Sequence, residues 1–330
     1  GVMSKLFYLI SLLVFSFSAS TASEWLYYKH YPWVYDNVSK DWLYLTGTDR
    51  KVVAYRSSTK EWEDFTVADI NNTNLPSTLQ IQLHESVTMD FILVQPGTFY
   101  MGEDDIAEPV HQVTLTQPFY LGKFEVTKLQ YSPSYYLPDS GNVDDSSSRR
   151  SSTADDSGID FNNLSSFNVP ITDISYSQVL SYIADLNTNH ESSLPENWEI
   201  CLPTEAQWEY ACRAGSTTSY SIGNSITIYD ANWGENALIK DVGYYASNNW
   251  GFYDMHGNVQ EWTGTNYGVY QETSIEDPTG PETGGQAIVR GGGYNNVDNE
   301  ILKSAYRKIQ DKALSSSTVG FRLSIQQKRD

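Results

Sequence analysis

Cysteine is nearly absent from this chain of 330 residues: only Cys201 and Cys212 are present, which excludes a disulfide framework and a cysteine-rich metal site. Histidine is scarce as well, and five residues leave little for imidazole metal chemistry. Basic residues are outnumbered. The 21 Lys+Arg stand against 41 Asp+Glu, a formal net charge of -20, which argues against nucleic-acid phosphate as a partner. No apolar run reaches the roughly 20 residues that a membrane-crossing helix needs. What is abundant is aromatic: at 14% Phe, Trp and Tyr, with 40% hydrophobic residues overall, the chain is too rich in buriable surface to be disordered. Its 22 Gly and 12 Pro are scattered throughout, so short elements joined by many ordered loops are expected rather than a helical bundle.

The longest apolar run, Leu6 to Phe17, follows Lys5 and leads into Ser18-Ala19-Ser20-Thr21-Ala22. A basic start, a short apolar stretch and small residues at its end are the signature of a secretory signal peptide, here residues 1–22, with Met3 as the start and cleavage near Ala22. The mature protein is expected to be secreted or periplasmic, without a stable membrane span. Residues 23–66 then read as short aromatic strands (Trp33-Val34-Tyr35, Trp42-Leu43-Tyr44, Val52-Val53-Ala54-Tyr55, Trp62-Glu63-Asp64-Phe65) separated by polar turns, a small β-meander. Such a sheet either packs its aromatics on itself or presents them to a carbohydrate or cell wall. Residues 67–86 are expected to be a linker with one short helix, residues 87–325 a larger domain, and 326–330 a tail. Within the larger domain, the Ser/Asp-rich stretch 138–168 cannot bury much surface and is expected to be a surface loop.

The larger domain carries blocks in a fixed order. Alternation around Pro96-Gly97 gives a hairpin over Phe91 to Gly102, and Glu108 to Leu115 and Phe119 to Thr127 alternate as strands. Ser177 to Asn187 reads as an amphipathic helix with Val179, Leu180, Ile183 and Leu186 on one face. A second helix is announced by Thr204 as N-cap, has Glu205 in its first turn and ends at Gly215, with Trp208, Ala211 and Cys212 on its buried face. Then come GFYDMHGNVQEW (251–262), VRGGGY (289–294), Arg307 and GFRL (320–323).

The order and wording of these blocks (PGTFYMG, KFEVT, LPTEAQWEYACRAG, GFYDMHGNVQEW, and VRGGGY with GFRL) resemble the formylglycine-generating enzyme, or sulfatase-modifying factor, family from about Phe91 to Ile325. The resemblance implies an α+β, loop-rich fold related to the C-type lectin fold. Catalytic members of that family oxidise a cysteine in a C-x-P-x-R sulfatase motif to formylglycine. They use copper held by a Cys-x4-Cys pair, soft thiolates suiting Cu(I). In this chain the corresponding positions fall on Asn299 and Ser304, neither of which can supply a thiolate. Copper is therefore not expected. Cys201 and Cys212 lie elsewhere in the pattern, too far apart for a bridge, and Cys212 reads as a structural buried thiol.

The same resemblance implies a structural calcium ion at Asp254, Gly257, Val259 and Glu261, side-chain and carbonyl oxygens of the kind a hard cation takes. A second family calcium site would start at Asn232, but its later ligands are missing, with Glu235 and Asp241 the nearest carboxylates. Arg290 and Arg322 read as buried structural arginines. The ring around Tyr294, Asn295, Asn296, Asn299, Ser304 and Lys308 is where family enzymes bind substrate, and it is the expected ligand-binding surface. No G-x-S-x-G elbow supports a serine hydrolase. Two functions remain open: an exported binding module for a polysaccharide, peptide or exported protein, without copper chemistry, or an enzyme that modifies sulfatases or another exported substrate.

Overall fold

The computed structural model describes residues 75–84, 86–132 and 168–328 in full and, before them, the backbone of five strands. The expected signal peptide, and all of the expected acidic loop except Asn168, lie outside the described residues. The chain divides into two compact units: residues 1–75 with Pro96–Thr98, and Pro76–Gln95 with Phe99–Asp330.

In the first unit, β1 (Trp25–Tyr27), β2 (Trp33–Asp36), β3 (Asp41–Thr48), β4 (Lys51–Arg56) and β5 (Glu61–Phe65) form one sheet in sequence order. Every pairing is antiparallel, and the register sets Tyr35 opposite Trp42 and Tyr55 opposite Trp62. This is the meander expected from the alternating aromatic segments.

The second unit opens with β6 (Thr78–His84), where a linker with a short helix was expected. The reason lies in Thr78-Leu-Gln-Ile-Gln-Leu83: its period of two suits a strand, and it lines up antiparallel along β7 (Val87–Val94) with Ile81 fully buried. Three sheets follow. The first, with β10 (Phe119–Gly122), β11 (Trp198–Cys201) and β17 (Ser324–Gln327), runs β11-β17-β10-β7-β6 and is antiparallel throughout. The second comprises β12 (Gln260–Asn266), β14 (Gln286–Arg290), β15 (Lys308–Asp311) and β16 (Val319–Phe321) in the order β15-β14-β12-β16, with β12 and β16 parallel. The third is small: β8 (Gly97–Glu103), β9 (Ala107–Leu115) and the two-residue β13 (Ile275–Glu276), which pairs parallel with β9.

Three α-helices occur among the described residues. The first, α1 (Lys128–Tyr131), is a single turn capped by Thr127. Helix α2 (Tyr176–His190) starts at a capping box between Ser175 and Gln178 and buries Tyr176, Val179, Ile183 and Leu186. Leu180, expected on that face, is 47% exposed; Tyr176 takes the remaining place, so the buried stripe runs through every third or fourth residue from 176. Asn187 fastens this helix to β11 with paired 2.8 Å hydrogen bonds to the Ile200 backbone.

Helix α3 (Glu205–Arg213) is different in kind, because nearly all of its residues are buried, including Glu205, Glu209 and Arg213. Trp208, Ala211 and Cys212 enter the core with Phe119, Phe252 and Met255, as the sequence implies. Thr204 and Gln207 close the capping box at 2.8 and 3.2 Å, satisfying N-terminal amides that no water can reach. Thr204→Ala is expected to cost about 1 kcal/mol, read as a lower urea midpoint with an unchanged denaturant slope; an unchanged midpoint would mean the cap is dispensable.

Candidate functional site

The acidic face of α3 is matched by three arginines. Glu209 accepts from Arg213 Nε at 2.9 Å, from the Gly102 amide at 3.0 Å and from Arg290 Nη2, and both carboxylate and Arg290 are fully buried. Burial alone would pull the Arg290 guanidinium down, but Glu209, Tyr270 and Glu205 outweigh it and hold it above its ordinary value. Arg290 Nη1 and Nη2 also donate to the carbonyls of Ala305, Tyr306 and Ser304. One turn earlier, Glu205 receives Arg307 in a two-pronged pair (Nε to Oε1 2.9 Å, Nη2 to Oε2 2.6 Å) and the Tyr270 hydroxyl at 3.0 Å. Planar fork-to-carboxylate pairs of this kind fix geometry as well as charge.

This lattice engages Asn299 and Ser304, the residues expected at the family's copper positions. Ser304 is fully buried and gives its carbonyl to Arg290; its hydroxyl lies 3.6 Å from the Cys212 thiol, which donates to it. Asn299 begins a short 3-10 turn, Asn299–Leu302, and its carbonyl accepts the Tyr220 hydroxyl. Burial pushes the Cys212 thiol up to about 12. Cys201 and Cys212 form no disulfide. Beside Cys212, His256 donates from Nδ1 to the Leu302 carbonyl at 2.7 Å and accepts from the Ser221 amide at Nε2. Burial lowers its pKa to about 4, so it is a neutral, hydrogen-bonded core residue.

The block Asp254 to Glu261, where calcium is expected, forms the turn into β12. Gly257 has φ +85° and sits against Asn232, where a side chain would collide with the Asn232 carbonyl. Asn232 thus braces the same turn: its carbonyl accepts the Asn258 amide, and its Nδ2 donates to Asn258 Oδ1 and the Leu238 carbonyl. Asp254 accepts the Gly243 amide at 2.6 Å. Glu261 is engaged otherwise, by Arg322 through Nε and Nη2 at 2.6 Å each and by Trp208 Nε1 at 2.7 Å. A third carboxylate, Glu125, accepts Asn258 Nδ2 and the Val259 amide; sequence reasoning had noted it only as part of KFEVT.

Three buried carboxylates therefore share one guanidinium. Burial, and then the charges of Asp254 and Glu261, push Glu125 well above the usual carboxylate range, and burial lifts Asp254 to about 6. Hard oxygens in excess negative charge suit a dication. Among the described residues no three His, Cys, Asp or Glu side chains converge on one metal position. Of the two carboxylates expected there, Asp254 accepts the Gly243 amide and Glu261 is committed to Arg322.

Of the expected ligand-binding ring, Tyr294, Asn295 and Asn296 share one turn. The Tyr294 amide donates to the Asn258 carbonyl, and Asn296 closes the turn by accepting the Gly293 amide at 2.7 Å. Lys308 lies apart on β15, opposite Val289, and burial lowers its pKa.

A cavity of about 590 Å³ opens over Glu205 and Arg307. One wall is the loop from Gly268 to Pro281, pinned where Asp277 accepts the Thr116 amide at 2.9 Å and the Thr116 hydroxyl. Tyr270 stands inside this loop with the Arg307 guanidinium 3.9 Å from its ring centre and His111 at 4.7 Å. Sequence reasoning placed Glu205 and Arg307 in motifs but missed the cleft. Its only signal was the run of Gly and Pro between Gly268 and Gly285, which marks a long loop and not what the loop encloses.

Residues 79–327 match the family model described as "Sulfatase-modifying factor enzyme 1-like domain". A serine/threonine-protein kinase, pkn1, of Chlamydia caviae is 36% identical over 126 residues, covering 37% of this chain and 20% of the kinase. The formylglycine-generating enzyme of Streptomyces coelicolor is 32% identical over 141 residues, 37% of this chain and 45% of that enzyme. The chain thus spans less than half the length of either relative. Among solved structures, Treponema denticola variable protein 1 superposes with a TM-score of 0.62 at 18% identity, covering 77% of this chain and all of that one, a likeness of fold.

Breaking either buried pair leaves an uncompensated charge. Arg322→Met is expected to cost about 3–5 kcal/mol, and the double variant Glu261→Gln/Arg322→Met less than the sum of its single changes. Additive losses in urea unfolding would show that Arg322 and Glu261 are not energetically coupled.

Proposed function

The chain belongs to the sulfatase-modifying factor family, and on that premise we propose that it is an exported binding module without copper-dependent formylglycine-generating activity. The observation supporting this reading is the residue pair at the copper positions. Asn299 and Ser304 bring no sulfur, Ser304 is sealed beneath Arg290, and the nearest thiol, Cys212, is buried and pushed up to about 12. The ligand is a polysaccharide, a peptide or an exported protein, and the aromatic N-terminal sheet contributes to its recruitment. The alternative, an enzyme modifying sulfatases or another exported substrate, draws on the likeness to the Streptomyces enzyme over 141 residues.

The deciding experiment is incubation of the copper-loaded protein with a C-x-P-x-R peptide, followed by mass spectrometry. The expected result is an unchanged thiol; conversion to the aldehyde would overturn the reading in favour of the enzyme.

Calcium belongs to the same proposal as a structural ion held by Asp254 and the carbonyls of Gly257 and Val259, neutralising part of the buried negative charge. Calcium at a hundred times its dissociation constant then stabilises the fold by about 2.7 kcal/mol. That gain is expected to vanish in Asp254→Asn. A wild-type melting temperature unmoved by chelator would remove calcium from the account.

A further inference from the structure

Among the groups of fixed charge that border the cleft, Glu205, Glu276 and Asp277 face one guanidinium, that of Arg307. That guanidinium is already answered: Glu205 takes it in the two-pronged pair, and the Tyr270 ring centre lies 3.9 Å away. Asp277 accepts from the uncharged Thr116 amide and hydroxyl, and Glu276 is exposed on the rim; neither has a cationic partner among the described residues. Three further basic side chains lie close by without bordering the cleft. Arg213 and Arg290 are held beneath it by Glu209, and Lys312, which reaches Asn266 Oδ1, lies over the Tyr176 ring. The side of the cleft formed by Glu276 and Asp277 therefore carries uncompensated negative charge, in a chain of net charge -20.

A buried imidazole adds an acceptor. His111, 5% exposed, borders the cleft beside Tyr270, and its Nδ1 sits 2.9 Å from the Pro109 carbonyl. A carbonyl only accepts, so Nδ1 carries the hydrogen, and in the uncharged ring Nε2 is left as an acceptor with no partner among the described residues. Thr265, Gln271 and Thr279 also border the cleft, but a hydroxyl or amide donates as readily as it accepts, so they do not choose the sign of a ligand. Met101, Val269, Ile275 and Pro278 give apolar walls, and the volume of about 590 Å³ lies within the roughly 300–1,000 Å³ of small-ligand sites. What fits is an apolar body that carries one cationic N–H donor group.

We infer that this cleft binds the free N-terminus of a short apolar peptide, its ammonium group set against Glu276 and Asp277, a further N–H on His111 Nε2, and its apolar side chains against Val269, Ile275 and Pro278. The inference rests on the binding-module reading and names the ligand class and the site.

Calorimetric titration of the full chain with Leu-Phe amide and with N-acetyl-Leu-Phe amide tests it, at about pH 6, where an α-amino group of pKa about 7.7–8.0 is charged. Acetylation removes the ammonium and leaves the apolar body. The free amine is expected to bind at least about tenfold more tightly, a difference of about 1.4 kcal/mol. Glu276→Gln, at an exposed rim position, is expected to weaken the free amine about threefold, with the acetylated peptide and the melting temperature unchanged. Glu272→Gln, in the same loop but outside the cleft, is expected to leave both affinities as they are. Equal binding of the two peptides, no binding of either to the folded wild type, or undiminished binding to Glu276→Gln would each overturn the inference. So would an equal loss in Glu272→Gln, because it would assign the attraction to the general field of an acidic chain. Failure here without peptide-thiol conversion by the copper-loaded protein sinks the cleft assignment alone; conversion sinks the binding-module reading beneath it.

Discussion

Everything in the larger unit depends on burying a charged helix. Helix α3 places Glu205, Glu209 and Arg213 in the interior, and an uncompensated charge there is tolerated only with a partner of opposite sign and good geometry. Arg290 from the end of β14 and Arg307 from just before β15 supply it, so the helix and the sheet β15-β14-β12-β16 are held in one relative position. On the neighbouring helix position, Trp208 donates to Glu261 of β12, which is itself clasped by Arg322 beyond β16. Arg322 continues outward to the carbonyls of Gly122 and Tyr253, tying in β10 and the turn before Asp254. Such ionic contacts are weak evidence for stability in themselves, but each accepts only one arrangement of its partners, which apolar packing alone does not demand.

That constraint also shapes the chemistry. The segment from Asn299 to Arg307 lies over the lattice and gives Arg290 three carbonyls, so its backbone is committed to structure. Ser304 is thereby turned inward onto Cys212. The same segment delivers Arg307 to Glu205, where both line the cleft beneath the Gly268 to Pro281 loop.

Much of this was legible in the residues. The capping signal at Thr204, the buried stripe Val179, Ile183 and Leu186, the aromatic meander, and the core positions of Trp208 and Cys212 follow from local periodicity and short-range hydrogen bonding, which a sequence carries openly. The errors were local as well. Thr78–His84 alternates as a strand does, but its short apolar content did not separate it from a linker, and Leu180 sits at the margin of a helical face where neighbouring packing decides exposure. The order of the blocks marked the family and fold, because each block holds a glycine, cap or charge that the architecture needs at that place.

The sequence by itself determined the family, the elements in outline, and the absence of thiols at Asn299 and Ser304, since these are properties of residue identity and short spacing. Only the tertiary structure decided which carboxylate meets which arginine. Glu261 pairs with Arg322 across 61 positions, Glu205 with Arg307 across 102, and Glu125 reaches Val259 across 134. Spacing along the chain carries no record of such partners: a buried charge selects its counterion by distance and direction in the folded interior, and the cleft over Arg307 exists only where the Gly268 to Pro281 loop, pinned to Thr116 by Asp277, returns to cover it.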